Sequence, residues 1–391
     1  MCYDVIVVGA GPAGATVARL TGQRGLKTLL LEKERFPRHK PCGGGLTPGV
    51  GRLLNMDYSN VIEQVVTRVA FHFGDEERQV LHAPNVRLEM VSRERFDQHL
   101  VAEAVRHGVQ FMENVRVNNL EVQDDWVNVR ADRGATWRSR IVVGADGANS
   151  RVARLAGLDV GVGGVAIEAE VYPKNEAVCE DFADQAIVGF DAHLHGYGWI
   201  FPKRDHLSVG VGSFVSRNTS IRLGDAFERF LRRFACLDGA RVIRRRGWPI
   251  PIHREVHVVN SERVCLVGDA AALADPLTGE GIYYAIHSGI LAADAICQDL
   301  PIKGALTRFY SQQVEKRIMA DLLRAARIAT VFYRTPHAFL SLSPFVKALA
   351  HIAAKEATYE ALMTGVARKA LLDALFRLPH AQVEAARDAR L

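Results

Sequence analysis

The sequence predicts an α/β protein. A doubly wound, dinucleotide-binding sheet carries an inserted antiparallel sheet and a C-terminal helical segment. Three stretches predict it: YDVIVVGAGPAGATVARLTGQRGLKTLLLEK near the start, RIVVGADGANSRVARLAGL from residue 140, and ERVCLVGDAAALADPLTGEGIYYAIHSGILAADAI from residue 262. Each runs from a short apolar strand through a glycine turn towards a helix, the repeating unit of an open sheet covered by helices.

The first stretch is the most specific. Residues 5–8 are an apolar, β-branched run of strand length. Gly9, Gly11 and Gly14 then give G-x-G-x-x-G, with Ala13 inside the turn. Residues 15–20 continue as a helix that Gly25 stops, and KTLLLE is a second buried strand ending on Glu32, 23 residues after Gly9. In such a unit the first glycine permits the tight turn, the second lets a pyrophosphate approach the backbone, and the third lets helix and strand pack closely. The helix N-terminus offers free N–H groups and a partial positive charge to the phosphates, and Glu32 can accept hydrogen bonds from a ribose diol. FAD and NAD both fit this stretch alone.

In the second stretch, residues 141–143 form a strand and Asp146-Gly147 turns the chain into a helix. In the third, residues 264–267 form a strand that Gly268-Asp269 ends, and a helix opens at Gly281. Together the three stretches resemble the FAD-dependent oxidoreductases of the aromatic-hydroxylase type. That resemblance implies that Gly268 and Asp269 bind the ribityl chain of FAD. It also implies that the helix opening at Gly281-Ile282 points its positive end at the flavin N1–C2 carbonyl, where reduced flavin carries negative charge. Arg93, in SRERFDQHL, matches a flavin-contacting arginine, with helix capping as the alternative role. Lys33, Val117, Asp146 and Gly147 complete the implied cofactor-lining set. No second strand-embedded G-x-G-x-x-G follows; GLDVGVGGVAIEAEV has four glycines but runs on as a strand. Without a dedicated nicotinamide domain, the expected electron donor is transiently bound NAD(P)H or a ferredoxin-like protein.

Two further stretches bear on the substrate. HKPCGGGL places Cys42 before Gly43, Gly44 and Gly45, just after the ribose-binding strand. Such a loop is expected where backbone must press closely against a flat ring. GYGWIFPKRDHLSVGVG reads Y-x-W-x-F-P-x7-G-x-G, through Tyr197, Trp199, Phe201, Pro202, Gly210 and Gly212. Alternate strand residues share a face, so Trp199 and Phe201 make one wall, and the glycines of the next strand leave room against it. With the FAD motifs, these stretches closely resemble the geranylgeranyl reductase family, over residues 3–300. The resemblance implies saturation of prenyl double bonds by hydride from reduced flavin, with these six residues binding an isoprenoid or prenyl-lipid chain. Cys42 and Tyr197 are the motif residues able to carry the proton, and Cys42 is favoured by proximity; its alternative role is that of a small residue beside the flavin. His193 and His195 read as loop histidines.

Composition agrees with a globular chain. Of 391 residues, 48% are hydrophobic and 24% charged, and the net charge of +5 is too small to argue for nucleic acid. Six scattered cysteines form no C-x-x-C pair, so no metal site is expected. No signal peptide and no 18-residue apolar run is visible, which points to the cytoplasm. From Lys303 onward, 14 Lys/Arg face 7 Asp/Glu, which suits either a solvated helical face or peripheral contact with an anionic membrane. The expected FAD-binding domain comprises residues 1–60, 92–158 and 255–300; the substrate domain comprises 65–91 and 160–254; residues 301–391 form the helical region, interrupted by Pro336 and Pro344. The alternatives left open are an FAD-dependent monooxygenase, a relative of electron-transfer flavoprotein–quinone reductases, and a non-catalytic flavin or isoprenoid carrier.

Overall fold

The computed structural model describes residues 2–333 apart from 74–75, 83–86, 159–160, 162, 176–177, 179, 181, 192–193, 215–221 and 300–305. His193, Pro336, Pro344 and most of the basic C-terminal segment lie outside the described residues.

The chain begins with β1 (Cys2–Val8), α1 (Pro12–Gln23), β2 (Thr28–Leu31), β3 (Gly45–Leu46) and α2 (Pro48–Leu54). Then come β4 (Ile62–Val66), β5 (Arg68–Phe73), β6 (Glu76–His82), β7 (Leu88–Val91), α3 (Arg93–Arg106), β8 (Gln110–Met112), β9 (Val117–Val122), β10 (Val127–Ala131), β11 (Thr136–Gly144) and α4 (Arg151–Leu155). The second half holds β12 (Gly164–Tyr172), β13 (Gln185–Asp191), β14 (Gly196–Pro202), β15 (Leu207–Ser213), α5 (Leu223–Arg232), β16 (Arg241–Ile250), β17 (Val264–Leu266) and α6 (Ile282–Asp299). A helix starting at Leu306, π-wound over Leu306–Tyr310 and Glu315–Met319, continues as α7 (Ala320–Phe332).

The first sheet has the order β8-β2-β1-β11-β10-β9, with β17 also on β11. Its centre is parallel, and the antiparallel β9–β10 hairpin extends one edge. Val5 to Val8 and all of β2 are buried, as expected of parallel strands covered on both faces. α1 packs against α3 and α6. At Gly289 of α6 a Cβ would lie 2.8 Å from the Ala13 carbonyl, so a glycine is what lets those two helices close up.

The second sheet, β16-β12-β15-β14-β13-β5-β6, is antiparallel except at β13–β5. That joint brings together strands from distant parts of the chain, so no hairpin dictates its direction. α5 covers one face: Phe230 sits where Cβ atoms on Gly189 and Gly198 would fall, 2.5 and 2.7 Å away. The opposite face of β14 carries Tyr197, Trp199 and Phe201. A small sheet, β3-β7-β4, bridges the two large ones. Between the C-terminal ends of β1, β2 and β11 and this aromatic face lies one continuous cavity of ≈1090 Å³.

Candidate active site

One end of the cavity is the glycine turn. Gly9 has φ +103°, and a Cβ there would overlap the Ala145 carbonyl. Gly11 caps α1 with extended backbone and no side-chain hydrogen bond, so the first-turn N–H groups face the cavity free of a protein cap. Gly14 meets the Gly9 carbonyl, which is the close helix–strand packing anticipated for it. Glu32, 5% exposed, accepts from Ala10 N and Glu34 N at 3.0 Å each. Arg38 Nε also lies 3.5 Å from Oε2, so it is Oε1 that keeps a lone pair for a ribose hydroxyl. Lys33 and Val117 line the same end. Asp146 also lines it, but its carboxylate accepts from Ser150 Oγ (2.5 Å), Arg151 N (2.6 Å) and Val152 N (3.2 Å), so its main work is to cap α4. Gly147, with φ +84°, completes that turn.

Midway along the cavity, Gly268 and Asp269 form a 3-10 turn beside the start of α6. Gly268 is packed behind the wall, with Ala13 and Ala285 each 3.1 Å from where its Cβ would be. Asp269, Gly281 and Ile282 line the cavity; a Cβ on Gly281 would stand 3.3 Å from Asp269 Oδ1. Lys40 Nζ lies 3.4 Å from Asp269 Oδ2. The positive end of α6 and this carboxylate are thus presented side by side.

The Cys–Gly loop comes next. Gly44 N donates to Cys42 Sγ at 3.3 Å, and the Arg93 guanidinium lies close enough to that sulfur to interact with it electrostatically. Arg93 does not cap a helix: it opens α3 and makes a two-pronged pair with Asp97 at 2.8 and 2.8 Å. Asp97 is fully buried and also meets Arg38 Nη1 at 3.0 Å. Burial alone would raise the Asp97 carboxyl, but the Arg93 and Arg38 guanidiniums outweigh it and hold the group below its ordinary value.

What presses on Gly43 and Gly45 is the aromatic wall itself, and what presses on Gly44 is β7. A Cβ on Gly43 would lie 2.9 Å from the Phe201 ring and 3.0 Å from Trp199 Nε1, one on Gly44 (φ +63°) would overlap the Val91 carbonyl, and Gly45 lies against Phe201 at 3.4 Å. The loop lines the cavity with its other side.

The wall's sequence pattern is a hairpin register. β14 and β15 pair so that Trp199 stands opposite Gly210 and Tyr197 opposite Gly212. A Cβ on Gly210 would overlap the Trp199 indole, and one on Gly212 would sit 2.6 Å from Phe214. Tyr197, Trp199 and Phe201 line the cavity, whereas Pro202, Gly210 and Gly212 are buried behind it. The latter three shape the wall rather than touch its contents. Tyr197 is not a free acid, because its hydroxyl donates to the Thr278 carbonyl. Burial, with Asp275, Glu280 and Cys42 nearby, also raises its pKa.

Sequence reasoning missed three features. Lys203, next after Pro202, is buried and donates to loop carbonyls. Glu168 of β12 lines the cavity at 5% exposure; Oε1 accepts from Ser208 Oγ at 3.1 Å, and Oε2 has no partner among the described residues. Burial pushes its carboxyl up to about 7. Phe332 and Tyr333, at the end of α7, close the far end: Phe332 meets Phe190 at 5.2 Å between ring centroids, and the Tyr333 hydroxyl donates to Leu277 O.

The family model for an FAD binding domain matches residues 2–304. A geranylgeranyl diphosphate reductase of Synechocystis is 31% identical over 369 residues, covering 86% of each chain. The chain belongs to the geranylgeranyl reductase family. A digeranylgeranylglycerophospholipid reductase of Methanothrix thermoacetophila is 27% identical over 85% of this chain and 88% of that one. The crystal structure of a geranylgeranyl bacteriochlorophyll reductase-like protein from Thermoplasma acidophilum shares the fold, with a TM-score of 0.77, 24% identity and 99% coverage of both chains.

The reductase-family chain is therefore an FAD-dependent oxidoreductase, and its residues fit the cofactor. A helix N-terminus capped by a glycine, a turn with no room for side chains at Gly9 and Gly14, and the Glu32 carboxylate stand in sequence along one cavity. Among the described residues no group of His, Cys, Asp and Glu could hold a metal, and no helix is long and apolar enough to cross a membrane.

Proposed function

We propose that this chain saturates carbon–carbon double bonds of an isoprenoid chain. The observation that carries the reading is the wall of Tyr197, Trp199 and Phe201, which continues to Phe190 and Phe332 and shares one cavity with the cofactor turn. A flexible polyprenyl chain offers no hydrogen bonds, so a long apolar channel is what binds it.

FAD, held by the Gly9–Gly14 turn, Glu32 and Asp269, would when bound and reduced be the source of hydride for one alkene carbon. The chain does the rest. The aromatic wall excludes water from an unactivated double bond and fixes its approach. Cys42 Sγ, at the cavity surface between Gly44 N–H and Arg93, supplies the proton for the other alkene carbon and recovers it from solvent. Tyr197 positions instead of protonating, because its hydroxyl is engaged by Thr278. The start of α6 offers its partial positive charge to an adjacent anion. NAD(P)H or a ferredoxin-like protein supplies the electrons.

Anaerobic incubation of dithionite-reduced holoenzyme with prenyl diphosphates and prenyl lipids tests the reading. Products heavier by two hydrogens per bond are expected; no such product, with hydroxylated product formed in a parallel aerobic incubation with NAD(P)H, would replace it with the monooxygenase reading. Collection of substrate at a membrane surface by the basic C-terminal segment belongs to the same proposal. Holoenzyme is expected to bind vesicles of anionic lipid and to leave them at high salt, and equal binding to neutral vesicles would contradict this part.

A further inference from the structure

Lys203 ends the aromatic strand with its side chain turned inward, at 5% exposure. Lysines ordinarily keep the ammonium in water while burying the stem. Here Nζ donates to Gly43 O (2.8 Å), Val91 O (2.9 Å) and Gly44 O (3.4 Å). Three N–H donors meet three backbone carbonyls, which is the full capacity of an ammonium. Two of these carbonyls belong to the 42–45 loop and the third to β7.

The charge is set among others. Burial brings Lys203 down to about 8, while Glu63, Cys42 and Glu168 favour its charged form. Glu63 approaches from β4 and Glu168 from β12. Each carboxylate has one buried oxygen without a partner among the described residues, so neither takes the ammonium away from the loop.

The same strand also blocks the loop from the other side. Phe201 and Trp199 stand against Gly43, so the loop cannot move closer, and the ammonium at the end of that strand keeps it from moving away. Gly44 N–H in turn donates to Cys42 Sγ. Fixing Gly44 therefore fixes the sulfur.

We propose that Lys203 is a positioning residue: its ammonium locks the 42–45 loop, and with it Cys42, between the aromatic wall and the flavin side of the cavity. The inference rests on the proposed function only in placing that loop beside the flavin. A neutral side chain of similar length would fill the space but release Gly43 O and Val91 O; Gly44 O keeps its bond from Val91 N at 2.8 Å, so the freedom gained falls on Cys42 and Gly43.

The test uses FAD-loaded protein and needs no prenyl substrate, so it stands even if alkene reduction fails. Lys203→Met is expected to retain FAD, since Lys203 is remote from the G-x-G turn. Its visible circular dichroism and flavin reduction potential should shift. Alkylation of Cys42 by iodoacetamide, followed on that peptide by mass spectrometry, should become about tenfold faster as charge-assisted hydrogen bonds to the loop are lost. Loss of a nearby positive charge alone would slow alkylation, because it disfavours the thiolate. Lys203→Gln, with two N–H donors, should restore part of the wild-type rate. A folded Lys203→Met with wild-type dichroism and an unchanged or slower alkylation rate would overturn the proposal. Hydrogen exchange of the two holoenzymes gives a second readout: the Gly44 amide, which donates to Cys42 Sγ, should exchange faster in Lys203→Met than in the wild type, and equal exchange would equally overturn the proposal.

Discussion

Replacing Glu168 with glutamine should make the protein more stable at neutral and alkaline pH. The folded chain holds the Glu168 proton up to about 7, against an ordinary 4.5, because the side chain is buried beside a wall of rings. Ser208 Oγ donates a hydrogen bond that favours the carboxylate, and Lys203 lies near, yet burial prevails. At 1.36 kcal/mol per unit, that difference is worth about 3 kcal/mol. Its direction follows from proton linkage. The folded state binds this proton more tightly than the unfolded state, so the stabilisation is complete below about pH 4.5 and is lost as pH rises through about 7. Above that, the wild type carries a buried charge that Gln does not. Glutamine can still accept from Ser208, and its amide fills the same space. Denaturant unfolding of wild-type and Glu168→Gln holoenzyme at several pH values from 5 to 9 measures the difference directly, and other titrating groups cancel in it. The variant should match the wild type near pH 5 and exceed it by up to about 3 kcal/mol at pH 8. A variant that is less stable than the wild type at pH 8, or a difference that does not change with pH, would refute the reasoning.

The other predictions bear on the cofactor, the proton and the wall. Asp269→Ala should weaken FAD binding roughly ten- to hundredfold, the loss of one hydrogen bond to a charged acceptor; fluorescence titration reads it, and full retention would remove Asp269 from the cofactor site. Cys42→Ser should keep FAD but lose alkene reduction, since a hydroxyl is a far weaker acid than a thiol. Wild-type turnover in both Cys42→Ser and Cys42→Ala would leave Cys42 as a small residue only. Gly210→Ala should displace Trp199, because the new methyl overlaps the indole and stands 2.6 Å from Ile167 O. A loss of about 1–3 kcal/mol in unfolding experiments is expected from such overpacking, with the glycine turn and its FAD affinity unaffected.

Much of this site is legible in sequence because it is built from local rules. The G-x-G-x-x-G turn, its strand and Glu32 are contiguous and lie where their spacing places them. The Y-x-W-x-F-P-x7-G-x-G pattern is equally local: in a tight hairpin its spacing sets glycines opposite rings. What the sequence hides depends on tertiary neighbours. Lys203, in FPKRD, looks like one more exposed charge before a turn, and only the return of the 42–45 loop and β7 buries it. Glu168 and Glu170 alternate on β12 as a solvated pair would, yet Glu170 meets Arg244 while Glu168 faces the cavity. Phe332 belongs to an amphipathic pattern, but the pattern does not say that its apolar side closes the channel. The glycines of HKPCGGGL signal close approach; that Trp199 and Phe201 approach Gly43, and Val91 approaches Gly44, follows only from strands far along the chain.

The most direct test of the account is mass spectrometry of the product formed when the reduced holoenzyme meets a geranylgeranyl substrate without oxygen. The account predicts a gain of two hydrogens for each double bond consumed, abolished in Cys42→Ser with its FAD still bound. Prenyl substrate recovered unchanged from fully reduced, FAD-loaded protein, across diphosphate and lipid forms, would contradict it.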